Sequence, residues 1–137
     1  MPARTVQRIV LISLAVVAGA ACSAVSPSES GAALRTPEGI TWEATAVELR
    51  SEPDGAQFTY NCTADGEVGA VWGTDIYTDD SSICTAAVHA GLITLPDGGD
   101  VTIELRPGEG SYTDSTRNGI TSLSYAAWDW SYVFVTD

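Results

Sequence analysis

The sequence predicts an α+β domain, one short buried helix set among short β-strands. Three observations carry that prediction. The segment Ser82 to Ala90 (SICTAAVHA) has the cap and the apolar spacing of a buried helix. Two turn signals, Pro96-Asp97-Gly98-Gly99 and Asn118-Gly119, punctuate runs rich in β-branched and aromatic residues. The last run, Trp128 to Val135, alternates in the period of a strand. A chain of 137 residues suffices for one such domain rather than two.

In chain order, residues 1–21 read as a secretory signal. Arg4 and Arg8 form the positive end, Ile9 to Ala18 is an apolar run broken only by Ser13, and Gly19-Ala20-Ala21 supply small residues. The apolar run is about ten residues, whereas a spanning helix needs roughly 20. The junction at Cys22 resembles the lipobox of bacterial lipoproteins, whose cysteine is acylated and becomes the new N-terminus. Gly19 stands where a lipobox usually carries Leu, and cleavage after Ala18-Gly19-Ala20 is the alternative. Cysteine parity favours lipid: the chain has three cysteines, and an exported domain rarely leaves one free. If Cys22 carries lipid, Cys62 and Cys84 remain as one pair.

The stretch from Ser23 to Gly39 is rich in Ser, Ala, Pro and Gly, so residues 22–39 read as lipid attachment and flexible tether. The expected location is the extracytoplasmic face of the cell membrane, with simple secretion as the alternative. There is no lysine, and residues 22–137 set four arginines against eighteen acids, a net charge of −14. Such a surface repels nucleic acid and anionic headgroups.

The folded unit is expected over residues 40–137. Gln57 to Asn61 alternates, with Phe58 and Tyr60 on one face. In the helix, Ser81 or Ser82 can cap, Asp79 and Asp80 sit at the positive end, and Gly91 can close it. Ile83, Ala86, Ala87 and Ala90 share the buried stripe, and the small alanines let strands approach closely. Ile93 to Leu95 and Val101 to Leu105 flank the Pro-Asp-Gly-Gly turn as a hairpin. Asn118-Gly119 suits a type I′ turn because both residues tolerate positive φ. In the last strand, Trp128, Trp130, Tyr132 and Phe134 fall on one face, and Asp129, Ser131, Val133 and Val135 on the other.

Val71 to Ile93 (VWGTDIYTDDSSICTAAVHAGLI) closely resembles the hallmark of the LCCL domain family, where V-[WY]-G leads into S-x-I-C-x-A-A-[IV]-H-x-G-[IV]-I. Gly98-Gly99 with Val101, Tyr112 with Ser115, Asn118-Gly119-Ile120 with Ser122, and Trp128 with Phe134 match further family elements in order. The resemblance spans about Trp42 to Thr136 and places Ser82, Ile83, Cys84, Ala86, Ala87, His89 and Gly91 in the motif helix. It implies a central helix wrapped by irregular antiparallel β-sheets, and a binding or scaffolding module of extracellular proteins with no shared catalytic set. Animal members commonly carry four cysteines in two disulfides. Here one is missing near Cys62, so the resemblance leaves Cys62 and Cys84 to pair.

Catalysis is disfavoured by geometry. Cys84 and His89 lie five residues apart, about 500° around a helix axis, which leaves them roughly 140° apart in direction. A nucleophile and its base need hydrogen-bond reach, and a disulfide would consume the thiol. His89 is expected to be structural, its ring bonded to backbone. Asp75, Asp79 and Asp80 do not match a calcium loop, which needs a distal Glu and a central Gly, and helix capping accounts for them better. No metal or cofactor is expected. Asn61-Cys62-Thr63 satisfies a glycosylation sequon, but a bridge employs Cys62 better.

Four Trp, five Tyr and two Phe exceed what so small a core must hide. Trp128, Trp130 and Phe134 are expected to pack the core, while Trp72 and Tyr77, before the helix, are the candidate ligand contacts. Two functions follow from the resemblance, the tether and the surplus aromatics. One is an envelope binding module for a glycan or other surface component; neutral sugars or a basic protein suit the charge, since Arg35, Arg50, Arg106 and Arg117 are the only cations after residue 21. The other is an accessory envelope lipoprotein with a fixed protein partner and no small ligand.

Overall fold

The computed structural model describes residues 37–137. The expected signal over residues 1–21, the expected lipid attachment at Cys22 and most of the expected tether, including Arg35, lie outside the described residues. The elements are β1 (Glu38–Ile40), a 3-10 turn (Val47–Leu49), β2 (Gln57–Cys62), β3 (Gly73–Thr74), β4 (Ile76–Thr78), α1 (Ile83–His89), β5 (Gly99–Glu109), β6 (Thr116–Arg117), β7 (Ile120–Thr121) and β8 (Trp128–Phe134). A six-stranded sheet runs β1-β2-β5-β8-β4-β3, and β6-β7 forms a separate ribbon. Among the described strand pairs only β1–β2 is parallel. The fold is α+β.

Register arranges the sheet into two unlike faces. Phe58, Ile103 and Phe134 lie in one cross-strand row, and Leu105, Tyr132 and Tyr77 in the next. These pack with α1 into the core, which also holds Trp42, Val71, Val88 and Ile120. On the opposite face of the β2–β5 pair the facing residues are polar and bonded to each other. Gln57 donates to Glu104 at 2.8 Å, Thr59 pairs with Thr102 at 2.8 Å, and Asn61 donates to Asp100 at 2.6 Å. Alternation of period two puts apolar side chains inside and this ladder outside.

Helix α1 is buried along all seven residues. The Ser82 Oγ caps it, accepting from the Thr85 N–H at 3.1 Å while bonding the Trp42 carbonyl at 2.7 Å. At the far end Gly91 takes φ +81°. Its N–H reaches the Val88 carbonyl and the Leu92 N–H reaches Ala87, closing a Schellman motif. The expected stripe Ile83, Ala86, Ala87 and Ala90 understates this burial. Cys84, Thr85, Val88 and His89 are equally enclosed, because the helix is covered on every side rather than lying on a surface.

Four expectations need correction. Glu38 and Gly39, expected in the tether, belong to β1, where they pair with Tyr60 and Asn61. An open strand edge recruits any extended backbone that satisfies its groups, whatever the side chains. Ile93 to Leu95 is no strand. Only Thr94 bridges Gly98, and β5 instead pairs six residues with β2 and six with β8. Asp79 does not cap the helix; its carboxylate is taken by Arg50 and Trp128. Finally, β8 does not divide cleanly into a buried and an exposed face. Trp130 is 40% exposed while Ser131, on the opposite face, is buried. The Ser131 hydroxyl donates to the Pro107 carbonyl at 2.7 Å, beneath the loop carrying Tyr112. Asn118-Gly119 joins β6 to β7 with φ of 51° and 79°, the positive values a type I′ turn requires.

Candidate functional site

Among the described residues, Cys84 and His89 are both engaged within the fold. Cys84 is joined to Cys62 in a disulfide with Cα atoms 5.7 Å apart, tying α1 to the end of β2. His89 is fully buried. Its Nε2 lies 3.1 Å from the Ser115 hydroxyl and 3.2 Å from the Ser115 carbonyl; bonding the carbonyl, which can only accept, makes Nε2 the protonated nitrogen. Nδ1 then accepts from the Tyr77 hydroxyl at 2.9 Å. Asn118 Nδ2 donates to the His89 carbonyl at 3.0 Å, holding the β6–β7 turn on the helix end.

Tyr77, expected as a ligand contact, is therefore a core residue. It is wholly enclosed, edge-on to His89 and against Tyr132 and Phe134. Burial pushes its hydroxyl up to about 12 and lifts that of Tyr132 well above its ordinary value. Trp72, the other candidate, is half-buried. Its N–H is held by Ser81 Oγ and its backbone bridges Leu123. The three aspartates before the helix are not convergent. Asp75 pairs with Arg117 at 2.7 Å, Asp79 with Arg50, and one oxygen of Asp80 is buried without a partner.

The accessible chemistry lies at the start of β8 instead. Asp79 is buried to 2% exposure beneath the sheet edge and accepts from Arg50 Nε at 2.6 Å, from a second guanidinium nitrogen at 3.1 Å, and from Trp128 Nε1 at 2.8 Å. The bond to Asp79 raises the Arg50 pKa and keeps the guanidinium charged. Arg50 lies over the Trp130 ring at 4.3 Å and the Trp128 ring at 5.8 Å. Tyr125, 45% exposed, meets Trp128 edge-on at 5.6 Å. A shallow pocket beside Trp130 is lined by Leu49, Glu52, Asp54 and Leu105. Sequence reasoning assigned Trp128 and Trp130 to the core. The only signal against that was the aspartate and serine interleaved with them, which is equally a strand pattern.

Each arginine among the described residues is held by a carboxylate: Arg50 by Asp79, Arg106 by Glu104, Arg117 by Asp75. An open groove of about 280 Å³ runs along Val88, Ile93, Leu95, Pro96 and Asn118. Its polar groups are engaged, Asn118 on His89 and Thr94 on Asp97. No helix among the described residues is long and apolar enough to cross a membrane.

A disulfide-stapled α+β module with an enclosed central helix and an aromatic surface edge is the class of protein these features define. The chain belongs to the LCCL domain family, whose profile matches residues 40–132. It is 34% identical over 106 residues to cochlin of Cavia porcellus, covering 77% of this chain and 19% of that protein. Over 54 residues it is 50% identical to cysteine-rich secretory protein LCCL domain-containing 2 of Homo sapiens, covering 39% of this chain and 11% of that protein. Over 63 residues it is 40% identical to vitrin of Homo sapiens, covering 46% and 9% respectively. The chain thus spans a fifth or less of these curated relatives.

Proposed function

We propose that this protein is a non-enzymatic binding module of the cell envelope, anchored on the extracytoplasmic face through lipid on Cys22, whose ligand is a glycan or another surface component. The observation that carries this reading is how polar groups are distributed. Cys84, His89 and Asp79, the residues from which a nucleophile, base or metal site would be built, are consumed by bonds within the fold. Aromatic rings remain at the surface. A surface with spare ring area and committed titratable groups suits recognition rather than turnover. The ion-paired arginines argue against an anionic ligand, because each one's charge is already balanced by a carboxylate.

The test is photo-crosslinking of the full chain in intact cells, followed by mass analysis of what is captured. Saccharide adducts support the envelope-ligand reading. A single stoichiometric protein neighbour would instead favour the accessory role, and capture of neither would end the binding proposal. Intact mass of the membrane fraction tests the anchor separately, since an unmodified or absent Cys22 overturns it.

A further inference from the structure

The row Tyr125–Trp128–Trp130 offers a site. Trp128 and Trp130 are two apart on β8, so their side chains leave the same face about 7 Å from one another. Tyr125 extends that row through its edge contact with Trp128. The outer members, Tyr125 and Trp130, are the two most exposed aromatic side chains among the described residues. The row is shallow and stepped: the Tyr125 and Trp128 rings stand at 85° to one another, and Arg50 covers one face of Trp130.

Its chemistry selects among ligands. A cation would seek the face of an exposed tryptophan, but Arg50 already lies over Trp130 and is neutralised by Asp79. An anion would meet Glu52 and Asp54 at the pocket rim and find no unpaired arginine among the described residues. What remains is an uncharged ring with apolar C–H faces and a rim of hydroxyls. The hydroxyls have partners at hand: a guanidinium has five N–H donors, Asp79 takes two of those on Arg50, and Glu52 and Asp54 supply acceptors. The two-pronged bond to the buried Asp79 carboxylate fixes Arg50 in place, so the donors are oriented before a ligand arrives.

We infer that Tyr125, Trp128 and Trp130, with Arg50 held on Asp79, form a binding platform for an uncharged oligosaccharide chain. This rests on the binding-module reading above and gives it a place and a ligand class. Successive sugar rings lie along the aromatic row, and Arg50, Glu52 and Asp54 take their hydroxyls at the Trp130 end.

The experiment is titration of the full chain, in a detergent without a sugar headgroup, with uncharged hexasaccharides of glucose and of N-acetylglucosamine. Polygalacturonate serves as the anionic comparison, and tryptophan fluorescence and calorimetry are the readouts. The expected result is saturable binding of at least one uncharged chain and none of the anion. Trp130→Ala and Tyr125→Ala should each weaken binding tenfold or more, with Trp130→Phe restoring most of it. Both positions are surface-exposed, and an unchanged melting temperature shows that the variants fold. Uncharged binding that neither alanine variant alters overturns the platform and leaves the binding module standing. No binding of either uncharged chain, alongside a crosslinked envelope partner, overturns the saccharide assignment alone.

Discussion

Two phenols at the centre of the molecule are held protonated by their surroundings. The Tyr77 ring lies 5.9 Å from that of Tyr132, and their hydroxyls bond His89 and the Ser81 carbonyl. Burial is the main reason that the Tyr77 hydroxyl rises to about 12, since a phenolate there would lose its hydration. In the unfolded chain a tyrosine releases its proton near 10. Above that pH the unfolded state loses a proton that the folded state keeps, so stability is fully present below pH 10 and falls as pH approaches 12. For Tyr77 the loss is on the order of 2 kcal/mol. The chain has no lysine, so tyrosines dominate the titration in this window. Urea unfolding should give a constant midpoint from pH 7 to 9 and a falling one from 10 to 12, with a shallower fall in Tyr77→Phe. A midpoint unchanged to pH 12 would contradict the burial argument. None of this partnership was legible in sequence. The spacing of Cys84 and His89 showed that they could not work together. That His89 would meet Tyr77, twelve residues earlier, depended on β4 entering the sheet beside β8.

At the scale of elements, what could be read from sequence was what is decided locally. The helix cap, the Gly91 stop and the Asn118-Gly119 turn each depend on a few adjacent residues; the last two stand where the sequence puts them, and the cap falls on Ser82, one of the two serines it offered. Pairing choices are not local. Ile93 to Leu95 looked like half of a hairpin, yet β5 is long enough to pair on both edges with strands from elsewhere in the chain. The exposure of Trp130 escaped for a related reason: alternation sorts side chains to faces but does not say where the cover on a face ends. The β5–β8 ladder tightens near that point. A Cβ on Gly108 would run into the Trp128 carbonyl and the Asp129 backbone, whereas one on Gly110 meets nothing within 4 Å. Gly108→Ala should therefore cost about 2–3 kcal/mol by forcing the strands apart, and Gly110→Ala should stay within about 0.5 kcal/mol. Equal urea midpoints for the two variants would mean that the ladder yields without strain.

For the whole molecule, the covalent link matters more than any single contact. A sheet with one polar face and one helix can bury only a modest core, and the acidic excess works against compaction. The Cys62–Cys84 bridge spans 22 residues of sequence and fastens the last residue of β2 to the first turn of α1. Cysteine parity alone pointed to this pair only on the condition that Cys22 is used elsewhere. The family resemblance supplied the pairing partner, and neither required knowing the fold. In the chain-entropy picture, closing a loop of this length restricts the unfolded ensemble by roughly 3 kcal/mol, a substantial part of the 5–15 kcal/mol typical of a domain. Replacing both cysteines by alanine should lower the unfolding free energy by at least that amount. It should also steepen the urea dependence, because an unfolded chain without the link exposes more surface. The double replacement avoids leaving one unpaired thiol in the core, and the lost packing of two buried sulfur atoms adds to the loss of the crosslink. If the variant and the oxidised protein unfolded at the same urea concentration with the same slope, the sheet and the helix would be held together by packing alone.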